Sequence, residues 1–212
     1  MASSTPSTRA IVVRGALSYT LSATDADVVF ALPCGRHILL GSEAVARSAA
    51  ALARFGVTSV VNCAYNSEPL PPGDLTAAGV AHFARLLFRD EAAAPGQDNA
   101  ALIRAGVEGV AEGVRATAGA VLVHCVAGVS RSASVVVAYL VARQGLALAD
   151  AVARVKAARP VAHPNIGFWK ALIEIEREAR GEGTVAVEDV EALHRGATYP
   201  VSTHIFGEAE RS

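Results

Sequence analysis

Cys125, Gly128, Ser130, Arg131 and Ser132 stand within eight residues of one another in HCVAGVSRS, a spacing that can hold an oxyanion over a nucleophile. Gly128 permits the tight backbone such a loop needs. Arg131 carries a planar fork that grips two phosphate oxygens at once. The amides of Val126, Ala127, Gly128, Val129, Ser130 and Arg131, followed by a helix N-terminus, make the rest of an anion cradle. Cys125 opens the same loop. A thiol facing a helix N-terminus and a guanidinium is expected to ionise more readily than a free one, and the thiolate is the nucleophile. Taken alone, a cysteine here would more often be a small buried hydrophobe. The surrounding fixed positions reverse that preference.

The elements around the loop must deliver these groups. GAVLVH (119–124) runs apolar on both faces, as a central buried strand does, and the apolar run 133–143 reads as a helix. It is about half the ~20 residues a membrane span needs. Upstream, HILLGS (37–42) reads as a strand, with Ser42 capping a helix through Arg54, and GVTSVVNC as the next strand. SEPLPPGD (67–74) reads as a loop, VAHFARLLF (80–88) as a strand ending just before Asp90, and 99–117 as a helix. Further helices are expected at 148–158 and 166–180. Residues 1–10 read as a disordered lead and IVVRGALSY (11–19) as an edge strand or an extended arm, with the domain spanning 11–180. From 181 to 212 an extension is weakly structured or packed on the domain. Strands alternating with helices predict an α/β fold with a mostly parallel central sheet flanked by helices on both faces.

Composition narrows the function classes. A formal charge of −1 gives no general attraction to nucleic acid or to an anionic membrane. The three cysteines, Cys34, Cys63 and Cys125, form no CxxC pair, so neither a disulfide framework nor a zinc knuckle is expected. His37, His82, His163, His194 and His204 show no metal-ligand spacing, and no cofactor is expected. The N-terminus lacks the apolar core of a signal peptide. A reducing setting is expected, cytoplasmic and open to the nucleus.

HCVAGVSRSA resembles the signature loop of the cysteine-dependent protein tyrosine phosphatases, and VLVHC with AYLV resembles their dual-specificity branch. RHILLGS, GVTSVVN and VKAARPVAHPNIGFWKALIEIE are similar to the small atypical dual-specificity phosphatases, over roughly residues 35–180. The resemblance implies a protein tyrosine phosphatase-like fold. It also implies dephosphorylation of phosphotyrosine and phosphoserine/phosphothreonine in proteins through a phosphocysteine on Cys125, with Arg131 and the loop amides holding the phosphoryl oxygens. Ser132 would assist breakdown of the thiophosphate. Asp90 stands at the family's general-acid position, with Asp98, which also suits a helix cap, and Glu91 as alternatives. His124 would shape the loop from the opposite face of its strand. Asn165 would brace the loop, or simply cap the helix after Pro164. Phe168 and Trp169 read as core. Cys63 lies near where some relatives carry a second thiol able to trap an oxidised nucleophile, although a buried inert cysteine is the plainer reading.

Val126, Ala127 and Val129 stand where phosphoinositide phosphatases of the superfamily carry lysines, so phosphoproteins are the expected partners, protein kinases among them. Two other classes compete. A phosphoprotein-binding pseudophosphatase would need the cradle but not the thiol. A sulfur-transfer or thiol redox enzyme also uses a cysteine in an anion loop, but GxSRS without CxxC counts against it.

Overall fold

The structure, a computed structural model, describes residues 9–13, 17–21, 26–67 and 69–194. β1 (Arg9–Val13) and β2 (Leu17–Leu21) pair antiparallel in a two-stranded sheet of their own. IVV and LSY therefore fall in separate strands, neither a single edge strand nor an extended arm. Arg9 and Ala10, expected in the disordered lead, already belong to β1.

The main sheet contains β3 (Asp27–Ala31), β4 (His37–Ser42), β5 (Val57–Asn62), β6 (His82–Arg85) and β7 (Ala120–Cys125). Its spatial order is β3-β4-β7-β5-β6, antiparallel only between β3 and β4. The mostly parallel sheet expected from the alternation of elements is present, with an antiparallel edge that the sequence reading did not foresee. β7 sits at the centre with all six residues buried, which is why it reads as apolar on both faces.

Helices cover both faces. α1 (Glu43–Ala46), α2 (Ala49–Arg54) and α3 (Pro72–Ala77) lie on one side, where Leu39, Leu52, Val60 and Leu122 pack together. α4 (Asn99–Ala116), α5 (Arg131–Gln144), α6 (Leu148–Ala158), α7 (Ile166–Arg180) and α8 (Val187–His194) follow. They pack on the other face, around Ile103, Val123, Val136 and Leu172.

Three expectations need correcting. The helix expected from Ser42 to Arg54 is two short ones, and Ser42 makes no side-chain cap bond. Ser48 breaks the run and caps the second piece by accepting from Ala51 N at 3.2 Å. The proline-rich segment is not all loop, because Pro72 occupies the first turn of α3, where a missing N–H costs nothing. The strand expected over 80–88 ends at Arg85, so Asp90 lies on an irregular segment, further beyond the strand than its position suggested.

No helix among the described residues is long and apolar enough to cross a membrane.

Candidate active site

β7 carries Cys125 to the carboxyl end of the parallel strands, where open α/β sheets leave a crevice for ligands. Alternation along β7 sends Val121, Val123 and Cys125 to the α5 face and Leu122 to the other. His124 therefore shares the face opposite the thiol. Cys125 is 1% exposed. Its Sγ accepts from Gly128 N at 3.3 Å and from Ser132 Oγ at 3.2 Å.

The carbonyls from Val126 to Ser130 point away from the thiol, each onto a donor. Val126 O accepts from Glu43 N at 3.1 Å and Val129 O from His163 N at 2.7 Å. Ala127 O and Gly128 O accept from the Arg159 guanidinium at 3.0 and 2.7 Å. Ser130 O accepts from Ser134 N at 2.9 Å and from Ser134 Oγ at 2.8 Å. A trans peptide sets its N–H opposite its C=O, so these contacts turn the amides of residues 127–131 inward. Gly128 makes the turn possible with φ of +68°, and a Cβ there would lie 2.5 Å from Gly41 O.

Asp90 closes the open side. Its Oδ1 accepts from Ser130 Oγ at 2.7 Å and from Asn165 Nδ2 at 3.0 Å. Its Oδ2 lies 3.4 Å from Arg131 Nε, an ion pair without hydrogen-bond geometry. Arg131 also donates from its NH1 group to Phe88 O at 3.4 Å. Asp98 is elsewhere employed: it caps α4 by accepting from Ala101 N at 2.9 Å. Glu91 is exposed. Asn165 caps α7 and contacts Asp90 and Ser130. Its Oδ1 caps α7 through Phe168 N at 3.0 Å, and its Nδ2 and backbone N–H hold Asp90 and Ser130.

His124 is buried, with Nδ1 3.4 Å from Cys125 O and Nε2 without a hydrogen-bond partner. Burial pushes its imidazole down to about 4, the nearby Arg131 charge adding to that and the contact with Cys125 O opposing it. It is neutral at pH 7. Phe168 and Trp169 are core residues, Phe168 tilted against Phe88 with ring centroids 6.0 Å apart. Cys63 is fully buried, and burial pushes its thiol up, reinforced by Cys125 and opposed by Arg131. Among the described residues, no group of three or more His, Cys, Asp or Glu side chains could hold a metal ion.

The sequence reading missed Arg159 and Asp27. Arg159 stands in VKAARPVAHPNIGFWKALIEIE, a stretch noted only for its resemblance, with no role given to this arginine. Asp27 lies on β3, a strand not recognised beforehand. Ser130 was read only as a loop amide, whereas its hydroxyl connects Asp90 to Asn165.

A parallel sheet that delivers a thiol into a loop of inward amides, with an arginine at the start of the next helix, is the architecture of the protein tyrosine phosphatase class. The dual specificity phosphatase catalytic domain family matches residues 38–178, and the chain belongs to it, among its small atypical members. It is a protein-tyrosine/serine/threonine phosphatase, acting on phosphoproteins. Human dual specificity phosphatase 28 is 40% identical over 151 residues, covering 71% of this chain and 80% of that protein. A crystal structure of the same human protein matches with a TM-score of 0.59 at 35% identity, covering 72% of this chain and 93% of that one. A mouse putative dual specificity phosphatase complexed with zinc tungstate matches with a TM-score of 0.61 at 29% identity, covering 74% of this chain and 90% of that one.

Proposed function

We propose that the protein removes phosphate from phosphotyrosine and phosphoserine/phosphothreonine in proteins by two displacements at phosphorus, with Cys125 as nucleophile. In the first, the Cys125 thiolate forms an S–P bond as the P–O bond to the substrate breaks, and Asp90 gives its proton to the departing oxygen. A phosphate dianion on Arg131 draws the guanidinium off Asp90 and leaves the carboxyl free to face the departing oxygen. In the second, Asp90 takes a proton from water as the water oxygen attacks phosphorus and the S–P bond breaks. Ser132 Oγ, 3.2 Å from Sγ, donates to the sulfur as its charge returns. Arg131 and the inward amides of residues 127–131 stabilise the equatorial oxygens throughout.

The observation that carries this reading is the meeting of two donors on Cys125 Sγ with Asp90 held against Arg131 and Ser130. Val126, Ala127 and Val129 add no cation to the loop, which suits a protein phosphomonoester better than a polyanionic inositol lipid. Protein kinases are among the phosphoproteins it would meet, in the cytoplasm or nucleus.

Turnover of an aryl phosphate tests the mechanism. Cys125→Ser is expected to lower kcat by a factor on the order of 10³ or more. Asp90→Asn is expected to lower kcat by roughly 10²-fold for poor leaving groups and far less for good ones. A Cys125→Ser protein as fast as wild type would overturn the nucleophile assignment.

A further inference from the structure

We propose that Arg159 is a positioning residue for the phosphate loop and that it acts as a pair with Asp27 on the edge strand β3, outside the segment matched by the catalytic-domain family. The proposal rests on the loop being the phosphate cradle. Arg159 is 3% exposed and stands just after α6. Its guanidinium spends one nitrogen on each of three acceptors: Nε on Gly128 O at 2.7 Å, NH2 on Ala127 O at 3.0 Å and NH1 on Asp27 Oδ2 at 2.5 Å.

Each of the two loop contacts is the back of an inward amide. The peptide whose carbonyl Arg159 holds at Ala127 is the one whose N–H, on Gly128, meets Cys125 Sγ at 3.3 Å. The carbonyl held at Gly128 belongs to the peptide whose N–H, on Val129, is aimed the same way. Without an outer donor, either peptide could turn and present its carbonyl to the phosphate, replacing an attraction with a repulsion. One rigid fork fixes both planes, and a lysine, a single ammonium on a flexible stem, cannot reach the same three acceptors in a fixed geometry.

Asp27 makes the arrangement affordable. A buried guanidinium bound only to carbonyls would be an uncompensated charge. Asp27, reached from the antiparallel pairing of β3 with β4, supplies the counter-charge at the edge of the sheet and fixes the tilt of the fork. The shape of the phosphate site is therefore set partly by a strand N-terminal to the family's catalytic core.

Tungstate, a tetrahedral oxyanion, serves as the probe, its affinity for the full chain measured calorimetrically alongside kcat and KM for an aryl phosphate. Arg159→Lys is expected to weaken tungstate binding about tenfold and lower kcat/KM at least as much; Asp27→Asn is expected to weaken binding about threefold. The double variant should be no more than about twofold worse than Arg159→Lys alone, because the two residues act as one unit. Thr184→Ala, which removes the hydroxyl that donates to Glu176 beyond α7, is the control for loss of stability and should leave tungstate affinity unchanged. If Arg159→Lys does not fold, Asp27→Asn and the control still decide. Tungstate affinities equal to wild type in the Arg159 and Asp27 variants, whatever their melting temperatures, would overturn the proposal. A wild-type protein that neither binds tungstate nor turns over substrate would instead refute the cradle reading, and this proposal with it.

Discussion

Asn165 shows how much one side chain can couple: its carbonyl oxygen starts α7 while its amide nitrogen holds the carboxylate of Asp90. One side chain can do both because an amide has an acceptor and a donor at opposite ends. Asp90 itself is seated by residues 40 and 75 positions away in sequence. Its neighbours were not readable from spacing, whereas Cys125, Gly128 and Arg131 were, since a seven-residue loop encodes its own geometry. His124 carries the clearest pH consequence. Unfolded, its imidazole takes a proton near 6.5; folded, burial delays protonation to about 4. Between those values the unfolded state binds more protons, so stability is full above pH 6.5 and falls as pH drops towards 4, by about 3 kcal/mol for this group alone. Urea unfolding of wild type and His124→Gln at pH 7, 5.5 and 4.5 checks it: the variant should show a smaller loss. Parallel losses would mean that other groups carry the acid sensitivity.

At the scale of elements, α4 holds Gly106, Gly109 and Gly113 in its buried stripe, an arrangement that costs helix propensity and gains closeness. A Cβ on Gly106 would lie 2.6 Å from Val135 Cγ2 and 3.3 Å from Leu86 Cδ1. Gly106→Ala should therefore destabilise by about 1 kcal/mol and by no more than about 2 kcal/mol, an overpacking cost of ~1–3 kcal/mol less a propensity gain of ~1 kcal/mol. A rise in melting temperature would show that α4 can shift away from α5. The N-terminus of the same helix separates the two aspartates weighed as acids. Asp98→Ala should lose about 1 kcal/mol of stability with its leaving-group dependence unchanged. A collapse in turnover of poor leaving groups would move the acid role to Asp98. Helices were legible where their stripes were long, as in α4 and α7. The Ser42–Arg54 helix failed because a second serine, Ser48, offered a competing cap that periodicity does not weigh.

In the whole molecule, the segment after α7 is part of the packing. Val185 and Val190 are buried, and Glu176, fully buried, accepts from Leu148 N at 2.6 Å, Thr184 N at 2.7 Å and Thr184 Oγ1 at 2.7 Å. Glu176 of α7 thus ties both the start of α6 and the extension to α7 through one carboxylate. Truncation after Arg180 should lower stability by about 3 kcal/mol, from lost apolar burial and lost charged hydrogen bonds, and chemical denaturation of the shortened chain measures it. An unchanged midpoint would show that solvent replaces those contacts at no cost. The sequence by itself determined what is local: the loop from Cys125 to Arg131, the buried central strand and the alternation that makes a mostly parallel sheet. Only the tertiary structure decided what is assembled from distant segments: the seating of Asp90 by Ser130 and Asn165, and the strap from Asp27 through Arg159 to the loop carbonyls. The reason is that a turn's hydrogen bonds close within a few residues and leave a pattern in the chain. A carbonyl buried on the far side of that turn can be satisfied by any donor the fold brings near, and neighbouring residues do not record which one.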